Sequence, residues 1–250
     1  MSVREGAPRD PEVARAIRAA LSVGIPVAAY GVSFGALAVA AGLDIWQTCV
    51  LSLLMFSGGS QFALIGVLAS GGASAALPAI AGAGLLGVRN GLYAMRLTPI
   101  LAGLGVWRRL LAGHWTIDET TAVATAQPDR RAQRAGFWAT GITIYLGWNL
   151  MTLLGALLGD LLGDVRAVGL DAAAAAAFLG LLWPRLRRLQ PVAVAIAAAV
   201  VATVLTPVLS PGLPVLAAAV VAVVVGATDL LGGRPGRDAA SGPAGEGAAS

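Results

Sequence analysis

Residues 46–70 read WQTCVLSLLMFSGGSQFALIGVLAS. No charged side chain interrupts the run, and it is long enough to cross about 30 Å of hydrocarbon, which takes roughly 20 apolar residues. Its centre conflicts with its flanks. Phe56-Ser57-Gly58-Gly59-Ser60-Gln61-Phe62 sets two adjacent glycines between serines and a glutamine, a composition that opposes helix continuity. At bilayer depth a helix breaks only where the freed backbone groups face protein or a water-filled cavity. The residues leave two readings open. In one, the break presents half-helix ends that hold a zwitterionic solute, and Ser57, Gly58, Gly59, Ser60 and Gln61 bind it. In the other, small residues let helices approach closely and Gln61 bonds a neighbouring helix.

The rest of the chain has the same character. Further apolar stretches lie at about 20–42, 73–106, 136–159, 172–189, 191–208 and 213–231. The 250 residues are 57% hydrophobic and only 12% charged, with mean hydropathy +0.79. A soluble domain carries about a quarter charged residues, so much of this surface must face lipid. The expected fold is an all-α polytopic membrane bundle of about six to eight spans, with broken or re-entrant segments. A polar arm at 1–19 precedes the membrane domain at 20–231, and a disordered Gly/Ala/Pro/Ser tail occupies 232–250. The run from Leu21 to Ala41 exceeds the apolar core of a signal peptide and reads as a retained first span.

Arginine placement sets an expected topology. Arg4, Arg9, Arg15 and Arg18 put the N-terminus in the cytoplasm, so Gly42-Leu43-Asp44 falls outside. Arg108, Arg109, Arg130, Arg131 and Arg134 cluster in the middle loop and return it inside. Arg185, Arg187 and Arg188, then Arg234 and Arg237, mark later inner ends. An odd number of crossings must therefore separate Asp44 from Arg108. The stretch 73–106, interrupted at Gly87-Val88-Arg89-Asn90-Gly91, either crosses twice or returns to the side it entered from. Gly42-Leu43-Asp44 is echoed by Gly169-Leu170-Asp171, with Phe56 and Trp183 at matching distances, which points to an internal repeat.

Few residues could carry chemistry. A guanidinium at membrane depth needs a partner or an aqueous path, and the planar fork of Arg89 suits a carboxylate. Asn90 beside it joins the candidate set. Alternatively, Arg89 lies in an interfacial turn and marks a helix break. Asp118 and Glu119 are candidates for gating or ion coupling, while Thr116 with Glu119 fits a capping box. Tyr145 and Trp148 read as interfacial anchors, Asn149 as a bond to another helix, and His114 as a loop histidine. Cys49 has no second cysteine and reads as a small apolar side chain. The chain contains no P-loop, nucleophile elbow or metal-ligand cluster, so neither an enzyme, a cofactor nor a metal is expected. Basic residues lie between apolar segments rather than on a face with stacking aromatics, which argues against nucleic-acid binding.

The pattern Pro26…Gly31-Val32-Ser33-Phe34-Gly35-Ala36-Leu37-Ala38…Gly42-Leu43, then Ser52…Phe56-Ser57-Gly58-Gly59-Ser60-Gln61-Phe62, is similar to the AzlC family of branched-chain amino acid permeases. Val88-Arg89-Asn90-Gly91-Leu92-Tyr93, Asp118-Glu119-Thr120, Gly169-Leu170-Asp171 and Leu181-Leu182-Trp183-Pro184 continue the resemblance in order. It implies secondary export of branched-chain amino acids, or methionine, across a bacterial inner membrane. It also implies a small hydrophobic AzlD-type partner subunit. Where the family usually has Asn-Leu-Arg-His, this chain has Gly87-Val88-Arg89-Asn90, so the arginine carries over and the imidazole does not. The competing readings are a non-transporting membrane scaffold and a small-solute channel. A scaffold predicts that Gln61→Ala and Arg89→Ala harm assembly rather than flux, and a channel predicts no trans-stimulation.

Overall fold

The computed structural model describes residues 10–162, 179–180, 182–183, 186, 189–210 and 212–228, and among them all regular structure is helical. In chain order the helices are α1 (Pro11–Ala29), α2 (Gly31–Ala40), α3 (Ile45–Leu54), α4 (Gly58–Gly71), α5 (Ala76–Leu101), α6 (Val106–His114), α7 (Asp118–Thr125), α8 (Arg130–Leu162), α9 (Leu189–Leu205) and α10 (Leu213–Thr228). Three stretches, Pro11–Ala40, Gly58–Leu101 and Arg130–Leu161, are long and apolar enough to cross a membrane. The bundle expected from composition is the observed fold.

α1 starts inside the polar arm. Pro11 occupies the first helical position, where its missing N–H is no loss, and Asp10 Oδ1 accepts from the Glu12 amide at 3.1 Å. Tyr30 keeps helical dihedrals (φ −63°, ψ −17°), so α1 and α2 form one element. That element lies along α8. Gly24 faces Thr143, Gly31 faces Met151 and Ala36 faces Gly159; the numbers rise together, so the two run parallel. Glycine is required at the seam. A Cβ on Gly35 would sit 2.0 Å from the Thr152 carbonyl oxygen, and one on Gly155 would sit 2.0 Å from that of Val32. With no hydrophobic drive between helices in lipid, such close approach is a main source of association.

Both elements begin at a basic end. Arg131 pairs with Asp10 at 3.4 Å, and Arg130 and Arg134 donate to the Ile100 and Ala102 carbonyls at the end of α5. These bonds satisfy carbonyls that a helix terminus leaves without internal partners. The far end carries the α2–α3 turn, where Gly42 has φ +96° and the Asp44–Gln47 capping box opens α3.

From the far end the chain dips and returns. α3 runs against α8, with Ser52 bonded to Thr152 and Leu53 reached by Tyr145. α4 then retreats along α5, Gly59 facing Arg89, Ser60 facing Gly87, and Val67 sharing Gly212 with Pro78. Their 10 and 14 residues span about 15 and 21 Å, each short of the roughly 30 Å of hydrocarbon. Residues 46–70 are thus a re-entrant hairpin rather than a crossing. Conversely, the interruption expected at Gly87–Gly91 is absent. α5 runs unbroken for 26 residues, about 39 Å, and crosses once. Asp44 and Arg108 are still separated by an odd number of crossings, but the segment that turns back is 46–70 and not 73–106. Gly87 and Gly91 are isolated glycines, and a single glycine costs a helix only about 1 kcal/mol.

The middle loop is also not a simple loop. α6 climbs from the basic end and α7 descends to it, a second hairpin of 9 and 8 residues. Its tip, Trp115-Thr116-Ile117, is buried, with Trp115 against Gly141 and Val123 against Gly136 of α8. Two re-entrant hairpins therefore enter from opposite ends and meet at mid-depth, where His114 Nε2 lies 3.1 Å from the Leu53 carbonyl. The α9–α10 turn rests at the far end, Gly212 touching Val67 and Pro78. Gly169-Leu170-Asp171, the second half of the expected repeat, lies outside the described residues.

Candidate functional site

The break between α3 and α4 has partners for its backbone. Met55 O accepts the Ser57 amide at 2.8 Å and Gln61 Nε2 at 2.6 Å, and Leu53 O is reached by His114 and Tyr145. Gln61 is fully buried, and its Oε1 accepts from Trp148 Nε1 at 2.8 Å. Its two partners fix the amide orientation, since one can only accept and the other can only donate. Of the two readings of Gln61, the interhelical bond is the one realised. Ser60 turns its hydroxyl to Ser57, 3.1 Å away.

On the other side of the break α4 begins. The first amides of a helix have no partner within it, and their aligned dipoles favour an anion. Here they belong to Gly58 and Gly59, whose missing side chains leave the backbone accessible. Arg89 of α5 presses on Gly59, since a Cβ there would lie 2.7 Å from Nη2. Arg89 Nη1 lies 3.0 Å from Asp118 Oδ2. Arg89 therefore sits within a continuous helix and not in an interfacial turn, and it has the partner that a guanidinium at this depth requires. Asp118 and Glu119 open α7, where the helix dipole favours carboxylates. The cap position of α7 falls to Ile117 and not to Thr116, where the expected Thr116–Glu119 capping box would place it. Thr116 Oγ1 donates to Ala112 O at 2.7 Å, and Thr120 Oγ1 takes the Ile117 amide at 3.0 Å.

These groups converge on one cavity of about 270 Å³. Its polar side is Ser57, Gly58, Gly59, Arg89, Asp118 and Glu119. Its apolar side is Val27, Tyr30, Phe56, Phe62, Leu86, Ile117, Ile144, Trp148 and Leu182. Of the sequence candidates, Ser60, Gln61 and Asn90 do not line it. Gln61 braces the wall from behind, and Asn90 lies on α5 beside Arg89. Sequence reasoning misplaced Trp148, which is 6% exposed and lines the cavity. Asn149 bonds Tyr145 O on its own helix at 2.7 Å, not another helix. Among the described residues no group of three or more His, Cys, Asp or Glu could hold a metal.

A helical membrane bundle with two opposed half-helix hairpins closing on a partly charged central cavity is the architecture of a membrane transport protein. Residues 22–162, more than half of the chain, match the family described as AzlC protein, and the chain belongs to that family. Membership links it to the transport of branched-chain amino acids and sets it in a transporter-associated family rather than an enzyme family. The match ends with α8 and contains both hairpins and every polar residue of the cavity. Searches of curated proteins and of solved structures find no significant match.

Proposed function

We propose that this chain is a secondary transporter exporting branched-chain amino acids, with methionine in its range, across a bacterial inner membrane. The carrying observation is the juxtaposition in one cavity of the α4 amides, Arg89, two carboxylates and an apolar wall. A zwitterion with an aliphatic side chain matches that set. Its carboxylate takes the Gly58 and Gly59 amides and the guanidinium, which is built for bidentate carboxylate recognition. Its ammonium takes Asp118 or Glu119, and its side chain lies against Ile144 and Trp148.

The two hairpins suggest how the site is reached. Each blocks one end of the path at mid-depth, so displacing one tip at a time gives alternating access. The substrate carboxylate competes with Asp118 for Arg89, which ties occupancy to the hold of α5 on the α6–α7 tip. Protonation of Asp118 weakens the same hold and supplies the coupling to a proton gradient, with Glu119 beside it as the second candidate carboxylate. The N-terminus is cytoplasmic by the arginine distribution, and a small AzlD-type subunit completes the transporter. Export, the partner and the inner membrane rest on the family relationship.

The test is counterflow of labelled leucine in proteoliposomes, with and without the small subunit. Accumulation against unlabelled internal leucine is expected, and it vanishes in Arg89→Ala. Uptake without trans-stimulation would identify a pore. No leucine-dependent flux in either preparation, with correct folding, would leave the scaffold reading.

A further inference from the structure

We infer that Trp148 is the specificity-determining wall of the cavity, limiting the bulk of the solute side chain, and that Gln61 is its positioning residue. This rests on the amino-acid reading above. Trp148 occupies the mid-depth face of α8, one turn after Ile144, so the two side chains stack on one stripe of the helix. The indole is immobilised on several sides. Its N–H is bound to Gln61 at 2.8 Å, and Gln61 is itself pinned to the Met55 carbonyl. Phe62 meets the ring edge-on at a centroid distance of 6.2 Å, and Phe34 stacks on it at 6.3 Å.

The free edge of the ring points to the start of α4. A Cβ built on Gly58 would lie 3.0 Å from Cη2 and within 3.6 Å of Cζ2 and Cζ3. The indole edge thus borders the very amides that receive the carboxylate. A solute anchored there starts its side chain beside the ring, and the ring cannot swing aside without breaking the Gln61 bond. Flexible walls such as Leu86 re-pack around a larger solute, whereas a tethered aromatic excludes it. Interiors resist added bulk when neighbours cannot shift, so the size limit lies where wall and anchor are closest.

The experiment is competition by unlabelled phenylalanine against labelled leucine in counterflow. The wild type is expected to prefer leucine by about ten-fold or more, the scale on which apolar walls discriminate. Trp148→Phe removes the benzo edge and the N–H, and should narrow that preference about ten-fold. Gln61→Leu changes no cavity-lining atom yet should narrow it in the same direction, an effect that a merely structural role would not produce. Trp148→Tyr, a smaller aromatic without the indole N–H, serves if Trp148→Phe does not fold and should shift preference the same way, whereas Ile144→Ala, which leaves the tether intact, should change it less. Unchanged leucine-to-phenylalanine ratios in the folded variants, with leucine counterflow intact, would overturn this inference alone. Absence of leucine counterflow in the wild type would overturn the amino-acid reading and this inference with it.

Discussion

Replacing Arg89 with Gln deprives Asp118 of the cation 3.0 Å away. Removing one partner of a fully buried pair costs about 3–5 kcal/mol, whereas exposed pairs contribute about 0–1 kcal/mol. Arg89 and Asp118 are 27% and 26% exposed, both towards the cavity. Partial access to water places the loss near 2–3 kcal/mol, between the two limits. For a chain of this length each kcal/mol moves the melting temperature by about 2–4 °C, so a drop of roughly 5–10 °C is expected in detergent. Asp118→Asn should cost less, because the long side chain of Arg89 carries its charge to water more easily than the short side chain of Asp118 does. The double variant Arg89→Gln/Asp118→Asn should lose less than the sum of the singles, by about 1–2 kcal/mol, since the two side chains are in direct contact.

Ligand response separates the structural from the functional role of the pair. Leucine at about a hundred times its Kd stabilises the site by roughly 2.7 kcal/mol, raising the wild-type melting temperature by several degrees. That rise should be absent in Arg89→Gln and in the double variant alike. Thermal shift with and without leucine reads both quantities. Single losses that add within about 0.5 kcal/mol, or a leucine response that survives Arg89→Gln, would refute the assignment of Arg89 as both latch and carboxylate partner.

Gly59→Ala puts a methyl 2.7 Å from Arg89 Nη2; the obstacle is the end of a flexible side chain, so folding should persist within about 1 kcal/mol while leucine flux is lost. Gly35→Leu meets the Thr152 backbone, which cannot yield, and is expected to abolish the monodisperse species in size-exclusion chromatography. Thr120→Val removes the hydroxyl that takes the Ile117 amide and donates to Trp115 O at 2.9 Å. It should destabilise the α6–α7 tip by about 1–3 kcal/mol, measured as a melting shift.

What the sequence reveals follows from where each signal resides. A Gly-Gly pair with polar neighbours inside an apolar run contradicts local helix energetics, so the break at Ser57–Gln61 is legible without a fold. Arg89 is legible as a charge that membrane depth would not tolerate alone, and Asp118 only as a candidate within the arginine-rich middle loop. Their mutual distance is not, because 29 positions separate them and no periodicity links α5 to α7. The second hairpin escapes for a different reason. Its helices are too short to register as spans, and the arginines at 108–109 and 130–134 give the whole segment the appearance of a solvated loop. Trp148 is misread because an aromatic at an interface and one beside a buried cavity have the same local sequence. Depth is a tertiary property, set here by the parallel seam of α1, α2 and α8.

The two hairpins are not equivalent, and the difference bears on how the site opens. The α3–α4 tip is hydrogen-bonded to α8 in three places: Ser52 to Thr152, Leu53 O to Tyr145, and Gln61 to Trp148. Interhelical hydrogen bonds in membranes are worth about 0.6 kcal/mol each on average, so together they hold that tip to the scaffold more firmly than any one alone. The α6–α7 hairpin meets α8 through apolar packing of Trp115 at its tip and Val123 further down α7, and meets the rest of the cavity through the Arg89–Asp118 pair and the His114 contact to Leu53 O. Only the ion pair among these is chemically competed by a carboxylate or an ammonium group. On the proposed reading, solute binding therefore loosens the basic-end hairpin selectively and leaves the far-end hairpin seated. A ligand shifts such an equilibrium only by its differential affinity for the two states, and here that differential is localised to a single guanidinium shared between Asp118 and the solute.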